Sequence, residues 1–144
     1  MTEVRPARGE AELAAALQLR RDVFVVEQGV PLQEEYDSAD GHALHLVAME
    51  DAQVVATCRL VTERDTVKVG RVAVAADARR RGIASRLLAE AEAHARDLGA
   101  RRIALAAQTG ALALYERAGY TPYGERFVEA GIDHLMMEKD VPGP

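Results

Sequence analysis

The chain has 144 residues, 49% hydrophobic content and a formal net charge of −5, which is typical of one domain that buries its own core. The negative charge excludes a nucleic-acid binder that relies on phosphate attraction, and no run of about 20 apolar residues provides a membrane span. The single cysteine, Cys58, excludes an internal disulfide. With no signal-peptide pattern at the start, we expect one cytoplasmic domain over residues 1–144, without a nucleic-acid or membrane partner.

The first 31 residues predict a short edge strand and a helix. Residues 3–6 form the strand, and residues 10–25 form the helix. The helix is indicated by side chains that recur at helical spacing, at Leu13, Leu17, Arg20 and Phe24. The sequence Gly29-Val30-Pro31 ends it, because glycine and proline interrupt regular structure.

An acidic and irregular stretch follows at residues 33–41, and three antiparallel strands come after it. The predicted strands cover residues 44–49, 54–61 and 67–74, with turns around residues 51–53 and 63–65. Gly70 lies inside the third strand, where glycine often marks a bulge.

The second half of the chain alternates helices and strands. Residues 82–98 predict the strongest helix, whose apolar stripe consists of Ile83, Leu87, Leu88, Ala91, Ala95 and Leu98. Gly99 ends this helix as a left-handed cap. The apolar run 103–107 predicts a strand buried on both faces, followed by a short helix at 111–118 and a strand pair at 123–128 and 134–139. We therefore expect an α/β domain with a mixed, mostly antiparallel sheet flanked by helices.

The junction between the third strand and the strongest helix has the properties of an anion site. The sequence Arg79-Arg80-Arg81-Gly82-Ile83-Ala84 enters the helix directly, and the first turn of a helix has free N–H groups and partial positive charge. Gly82 lets the backbone approach a phosphate, and arginines add charge-assisted contacts. No Gly-Lys-Ser/Thr follows, and the glycines of a dinucleotide fingerprint are missing. The residues alone predict a phosphate or pyrophosphate ligand.

The pattern Arg79-x-x-Gly82-x-Ala84, after the strand Val72-Ala73-Val74, resembles the pyrophosphate loop of the GNAT superfamily of N-acetyltransferases. The run 103–107 is placed like the family strand that splays from its neighbour to admit pantetheine, so the resemblance implies a splayed central strand pair. Residues 113–120 resemble the family's short helix before its penultimate strand. Residues 20–28 with Val30-Pro31, residues 35–37 and residues 131–138 resemble the ElaA-type branch.

The resemblance implies acetyl-CoA as donor and a primary amine of a small molecule or peptide as acceptor. It places backbone groups of Val72, Ala73 and Val74 along pantetheine, although plain core packing also explains these residues. It places N–H groups of residues 80–85, namely Arg80, Arg81, Gly82, Ile83, Ala84 and Ser85, on the pyrophosphate. The side chains of Arg79 and Arg81 would reach phosphates, whereas that of Arg80 fits solvent equally well. The amide of Gln108 fits a cofactor contact or a structural role.

Tyr115 lies where the family's general acid lies. The CoA thiolate that leaves resembles a cysteine thiolate, with a pKa of about 8.5 against about 10 for tyrosine. Proton donation is then uphill by about 2 kcal/mol, which a concerted transfer can absorb. The alternative role is a core tyrosine with a satisfied hydroxyl.

The sequence identifies the general base less clearly than the general acid. The incoming amine must be neutral, so a carboxylate or histidine often takes its proton, directly or through water, and Glu27 is our first candidate. The others are Glu34, Glu35, Asp37, His45 and His134. Each of these is also compatible with a solvated surface position, and the acidic stretch is also suited to attract a cationic amine.

The remaining expectations concern metals, partners and competing functions. No metal is expected, because the histidines and Cys58 lack ligand spacing. The resemblance allows a homodimer through the C-terminal strands. Two other functions stay open, namely a non-catalytic sensor that binds acyl-CoA on the same fold and a phosphate-loop protein for another nucleotide. The missing lysine argues against the latter.

Overall fold

The computed structural model describes residues 1–143, which fold into one seven-stranded sheet with helices on its faces. The strands are β1 Glu3–Pro6, β2 Leu44–Glu50, β3 Gln53–Glu63, β4 Thr66–Val74, β5 Arg102–Gln108, β6 Thr121–Glu129 and β7 Ile132–Asp140. The α-helices are α1 Gly9–Arg20, α2 Leu32–Glu35, α3 Ile83–Asp97 and α4 Leu112–Arg117. A π-helical turn, Arg21–Glu27, continues α1, and single 3₁₀ turns lie at Ser38–Gly41, Ala76–Ala78 and Thr109–Ala111.

The strands are ordered β1-β2-β3-β4-β5-β7-β6 across the sheet. All neighbouring pairs are antiparallel except β4 and β5, which are parallel. The parallel pair is joined by α3, as a crossover between parallel strands requires. The predicted α/β fold with a mixed, mostly antiparallel sheet is confirmed.

β4 and β5 separate halfway along their length. Their pairing runs from Thr66 opposite Arg102 to Val69 opposite Leu105 and does not continue within the described residues. A bulge explains the separation, because Arg71 and Val72 of β4 together oppose Cys58 of β3, and a bulge bends its strand. The predicted splay is confirmed, and the bulge predicted at Gly70 lies at the next residue, Arg71, which has a positive φ of 53°.

Two apolar clusters cover the sheet. The larger one packs the buried face of α3, including the completely buried Leu87, against the sheet strands and α4. Burying one leucine contributes about 1.5–3 kcal/mol. The smaller one joins Val23, Phe24 and Val30 of the π-turn region to Ala73. The two clusters lie on opposite faces of the sheet, since residues 72–74 alternate between them.

Four sequence-based expectations need correction. Leu98 is 56% exposed and outside the apolar stripe, because α3 ends at Asp97. The predicted helix 10–25 changes to π geometry at Arg21. The stretch 33–41 is not irregular, because Asp37 and Asp40 cap its 3₁₀ turn reciprocally. The strand 103–107 is buried on both faces only as far as Leu105, since Ala104 is buried and Ala106 is exposed.

Candidate active site

A cleft of about 1110 Å³ opens where β4 and β5 separate. The π turn lies on one side of it, while the loop before α3, helix α4 and strands β6 and β7 provide the other walls. The lining includes ten of the predicted site residues, namely Glu27, Val72, Val74, Arg79, Arg80, Gly82, Ile83, Ala84, Ser85 and Gln108. Tyr115 also lines it, so one cavity brings together the phosphate loop and the predicted acid.

The loop before α3 presents free backbone donors to this cleft. Gly82 is the N-cap of α3 with a φ of 77°, a left-handed conformation that suits glycine. The carbonyl oxygen of Gly82 accepts a helical hydrogen bond from the N–H of Arg86 at 3.2 Å. Within residues 1–143, no side chain caps the helix and no acidic residue occupies its first turn. The N–H groups of Ile83, Ala84 and Ser85 therefore remain available to an anion.

The three arginines of the loop point to different partners. Arg79 donates from Nη1 and Nη2 to the two carboxylate oxygens of Glu27, at 2.6 and 2.7 Å. Arg81 donates to Glu50 and does not line the cleft. Arg80 lines the cleft and forms no hydrogen bond or ion pair with the described residues. Arg80 is therefore the loop arginine best placed for an entering anion.

The separated strand edges provide the floor of the cleft. Val72 and Val74 of β4 line it, whereas Ala73 is buried in the smaller cluster and does not. The carbonyl oxygen of Val74 accepts a hydrogen bond from Nε of Arg79 at 3.0 Å. On β5, Ala106 and Gln108 line the cleft. Unpaired strand edges of this kind can bond an extended amide-containing chain.

A pair of amide side chains spans the cleft. Nε2 of Gln108, at the end of β5, donates to Oε1 of Gln28 at 3.0 Å. Gln28 follows the π turn, so Gln28 and the neighbouring Glu27 both tie this turn to the cleft walls. The predicted contact between Gln108 and cofactor stays a prediction.

Tyr115 lies on α4 with 7% of its surface exposed. Its ring meets that of Tyr120 edge to face, with the centroids 6.3 Å apart. Its hydroxyl finds no hydrogen-bond partner among residues 1–143 and is not sealed off, because the residue lines the cleft. Burial raises the pKa of Tyr115 to about 12, with a smaller effect from Cys58. The hydroxyl is thus a protonated donor without a protein acceptor.

Glu27 lies at the mouth of the cleft, on the last residue of the π turn. The hydrogen bonds from Arg79 hold the pKa of this carboxyl below its usual value, although partial desolvation opposes them. A lowered pKa makes a carboxylate a weaker base. The role of Glu27 as general base stays a prediction, and this pairing opposes it in the free protein.

The acidic stretch is largely neutralised by arginines that the sequence did not single out as partners. Arg20, which is 1% exposed, donates to Glu35 at 2.5 Å and to Asp40 at 2.6 Å. Arg59 bonds Asp37 at 2.6 Å. Arg71, on the bulge, donates to the carbonyl of Glu35 and to Asp37.

Burial alone would raise the pKa of Asp40, but the hydrogen bonds from Arg20 and Arg59 outweigh it and hold this pKa well below its usual value. Glu35, Asp37 and Asp40 thus serve the fold through their arginine partners. Of the acidic residues in this stretch that line the cleft, only Glu34 forms no side-chain ion pair with the described residues.

The two histidines that were candidates for the base have different environments. Nε2 of His45 lies 3.0 Å from the carbonyl oxygen of Asp40, while its Nδ1 is buried without a partner, and the residue does not line the cleft. His134 lines the cleft.

Within residues 1–143, no three metal-binding side chains cluster to hold an ion. In the same part of the chain, no helix has the length and hydropathy to cross a membrane.

Known proteins share this architecture. Residues 10–141 match the acetyltransferase (GNAT) domain family. The chain is 35% identical over 135 residues to the uncharacterized N-acetyltransferase YjcF of Bacillus subtilis, covering 93% of this chain and 96% of YjcF. It is 30% identical over 136 residues to protein ElaA of Escherichia coli, covering 91% and 89% of the two chains.

Solved structures with a similar fold support the same family. An acyl-CoA N-acyltransferase from Pseudomonas aeruginosa superposes with a TM-score of 0.84 at 34% identity, covering 96% of this chain and 98% of that one. Escherichia coli ElaA superposes with a TM-score of 0.86 at 28% identity, covering 96% and 99%. The chain therefore belongs to the GNAT family of N-acetyltransferases, in its ElaA-type branch.

Proposed function

We propose that this acyltransferase moves the acetyl group of acetyl-CoA directly to a primary amine of a small molecule or peptide. One observation carries the proposal, namely the single cleft that joins a free helix N-terminus, two separated strand edges and the hydroxyl of Tyr115. A diphosphate, an extended amide chain and a thioester match these three parts in that order.

The phosphate end of the donor suits the loop before α3. The free N–H groups of Ile83, Ala84 and Ser85 point their partial positive charge at the cleft. Arg80 supplies a full charge without first breaking an ion pair, whereas Arg79 would have to leave Glu27. Arg81 would have to leave Glu50 and also enter the cleft, which it does not line, so its predicted phosphate contact needs a larger rearrangement.

The pantetheine arm suits the edge of β4 beyond the bulge, where Val72 and Val74 line the cleft. In this position the arm replaces the missing strand partner, and its amides satisfy backbone groups that β5 does not reach. Ala73 contributes through its backbone, because its side chain is buried in the smaller cluster.

The chemical step needs a proton for the departing sulfur. The amine nitrogen bonds to the thioester carbon, the tetrahedral intermediate collapses, the carbon–sulfur bond breaks and Tyr115 protonates the thiolate. With the pKa of Tyr115 at about 12, donation to a thiolate of ordinary pKa about 8.5 is uphill by about 5 kcal/mol. The same burial raises the pKa of the neighbouring Cys58 thiol to about 12. A CoA sulfur desolvated beside Tyr115 becomes more basic in the same way, which reduces the mismatch.

The experiment follows donor binding and turnover separately. Thermal unfolding is measured with acetyl-CoA and with ATP, and release of the CoA thiol is then followed with a panel of primary amines. We expect stabilisation by acetyl-CoA alone and amine-dependent thiol release. Stabilisation without release for any amine supports the sensor function, and no response to acetyl-CoA contradicts both. Stabilisation by ATP in place of acetyl-CoA identifies another nucleotide as the ligand.

A further inference from the structure

His134 lies on β7 beside the end of β5, with 9% of its surface exposed, and it lines the cleft. It pairs with Gln108 across the two strands. Gln108 in turn reaches over the cleft to Gln28. His134 is therefore placed at the separated end of the central strands.

The ring of His134 is held in one orientation and one tautomer. Its Nδ1 lies 2.7 Å from the carbonyl oxygen of Ile132. A carbonyl oxygen only accepts hydrogen bonds, so Nδ1 carries the hydrogen, and in the neutral ring Nε2 carries the lone pair. The ring also stacks on Phe127, with the centroids 5.6 Å apart and an interplanar angle of 20°.

The lone pair on Nε2 is not held by the protein, and the residue lines the cleft. Nε2 makes no hydrogen bond with the described residues, and it is not among their sealed, unpartnered polar atoms. In contrast, Nδ1 of His45 is sealed in the protein, and Glu27 is held by Arg79. Glu35 and Asp37 are held by arginines. Of the six candidates, Glu34 and His134 combine access to the cleft with a side-chain acceptor that no described residue holds. Glu34 is exposed on α2, whereas His134 is buried beside the separated strands, where the thioester would lie.

His134 and Tyr115 face the cleft from opposite sides of the sheet. Leu105 and Ala107 of β5 pack in the larger cluster with Tyr115. Side chains alternate along a strand, so Gln108 lies on the other face, and its cross-strand neighbour His134 shares that face. A thioester between the separated strands would have its sulfur side and its acceptor side on these two faces.

We propose that His134 is the general base for the acceptor amine. The proposal rests on the acetyltransferase function above. As the amine nitrogen bonds to the thioester carbon, it loses a proton, and Nε2 of His134 takes that proton directly. The imidazolium keeps its Nδ1 hydrogen bond to Ile132 and returns the new proton to water after the amide product leaves. The proton that Tyr115 gives to sulfur is replaced from water, so the charges balance.

The test uses the purified full chain and an amine that supports turnover. The variant His134→Asn keeps an N–H that can donate to Ile132 but has no atom at the position of Nε2. The variant His134→Ala leaves space for added imidazole. The control is His42→Asn, because His42 is exposed and outside the cleft. For each protein, kcat and KM, the acetyl-CoA dissociation constant and the thermal midpoint are measured.

We expect His134→Asn to lower kcat by about 100-fold or more, with an unchanged acetyl-CoA dissociation constant, and imidazole to restore part of the activity of His134→Ala. A kcat within twofold of the His42→Asn control overturns the proposal. So does an equal loss of acetyl-CoA binding and kcat without imidazole rescue. Absence of turnover in the wild-type protein instead contradicts the proposed function, and this separates the two failures.

Discussion

Arg79 and Glu27 join the phosphate loop to the π turn through two hydrogen bonds of 2.6 and 2.7 Å. Both side chains are more than one-third exposed, so solvent screens the pair and it contributes little to stability. We expect its consequence to be functional, because an anion that attracts Arg79 would release Glu27. Donor binding and the charge at the mouth of the cleft would thereby be linked.

Glu27→Gln tests this link. We expect little change in the free energy of unfolding, because solvent screens this exposed pair, and equal or tighter acetyl-CoA binding, since Arg79 no longer has to leave a carboxylate. Calorimetric titration with acetyl-CoA measures the affinity, and Arg79→Gln with the double variant completes a thermodynamic cycle. A 100-fold loss of kcat in Glu27→Gln with intact binding contradicts our assignment of the base to His134 and supports Glu27 in that role.

Gly82→Ala is expected to weaken acetyl-CoA binding. Its φ of 77° makes a side chain cost about 1–2 kcal/mol, and the added Cβ would occupy open space in the loop that lines the proposed pyrophosphate site. Gly99→Ala is a matched control, because Gly99 has the same φ at the other end of α3 and is equally uncrowded. Both variants should lower the thermal midpoint to a similar extent, and only Gly82→Ala should raise the dissociation constant. Equal dissociation constants would place the phosphates elsewhere.

Tyr115→Phe is expected to lower kcat by about 100-fold while the acetyl-CoA dissociation constant stays the same. The hydroxyl makes no hydrogen bond within the described residues, so its removal leaves no protein group unpaired. Tyr123→Phe on the exposed strand β6 is the control. Steady-state kinetics measure kcat for both variants. An unchanged kcat for Tyr115→Phe would contradict the proposal that Tyr115 is the general acid.

Asp40→Asn is expected to destabilise the fold by about 3–5 kcal/mol, because Arg20 and Arg59 lose a buried partner. The folded-state pKa of Asp40 lies below its unfolded value. Its stabilisation is therefore complete above the unfolded pKa of about 4 and is lost progressively as pH falls from there toward the folded-state pKa. Denaturant unfolding between pH 7 and pH 3 should show a shallower acid decline in Asp40→Asn than in the surface control Glu116→Gln. Parallel declines would contradict this origin of acid sensitivity.

The local elements of the fold could be predicted from the sequence, because each has its own pattern. The stripe from Ile83 to Ala95 indicates the strongest helix, and alternating side chains indicate β2 to β4 within a few residues. The loop at Gly82 could be predicted as an anion site from the free N–H groups of a helix N-terminus alone. These features depend on residues close together in the chain.

The pairing of side chains across elements could not be predicted in this way. Arg20 occupied an apolar position of the helical pattern, and only the fold brings it to Glu35 and Asp40. The turn of Arg81 toward Glu50 also depends on contact between segments 31 residues apart. The open Nε2 of His134 follows from one backbone carbonyl and one stacked ring, and neither has a sequence signature.

The most direct measurement uses acetyl-CoA with an isotopically labelled acetyl group, incubated with the protein and a mixture of primary amines and analysed by mass spectrometry. We predict an amine product that carries the labelled acetyl group, formed together with an equal amount of free CoA and abolished in neither the His42→Asn nor the Gly99→Ala protein. Labelled acetyl that remains on CoA with every amine, although acetyl-CoA stabilises the protein, would contradict the assignment as an amine acetyltransferase.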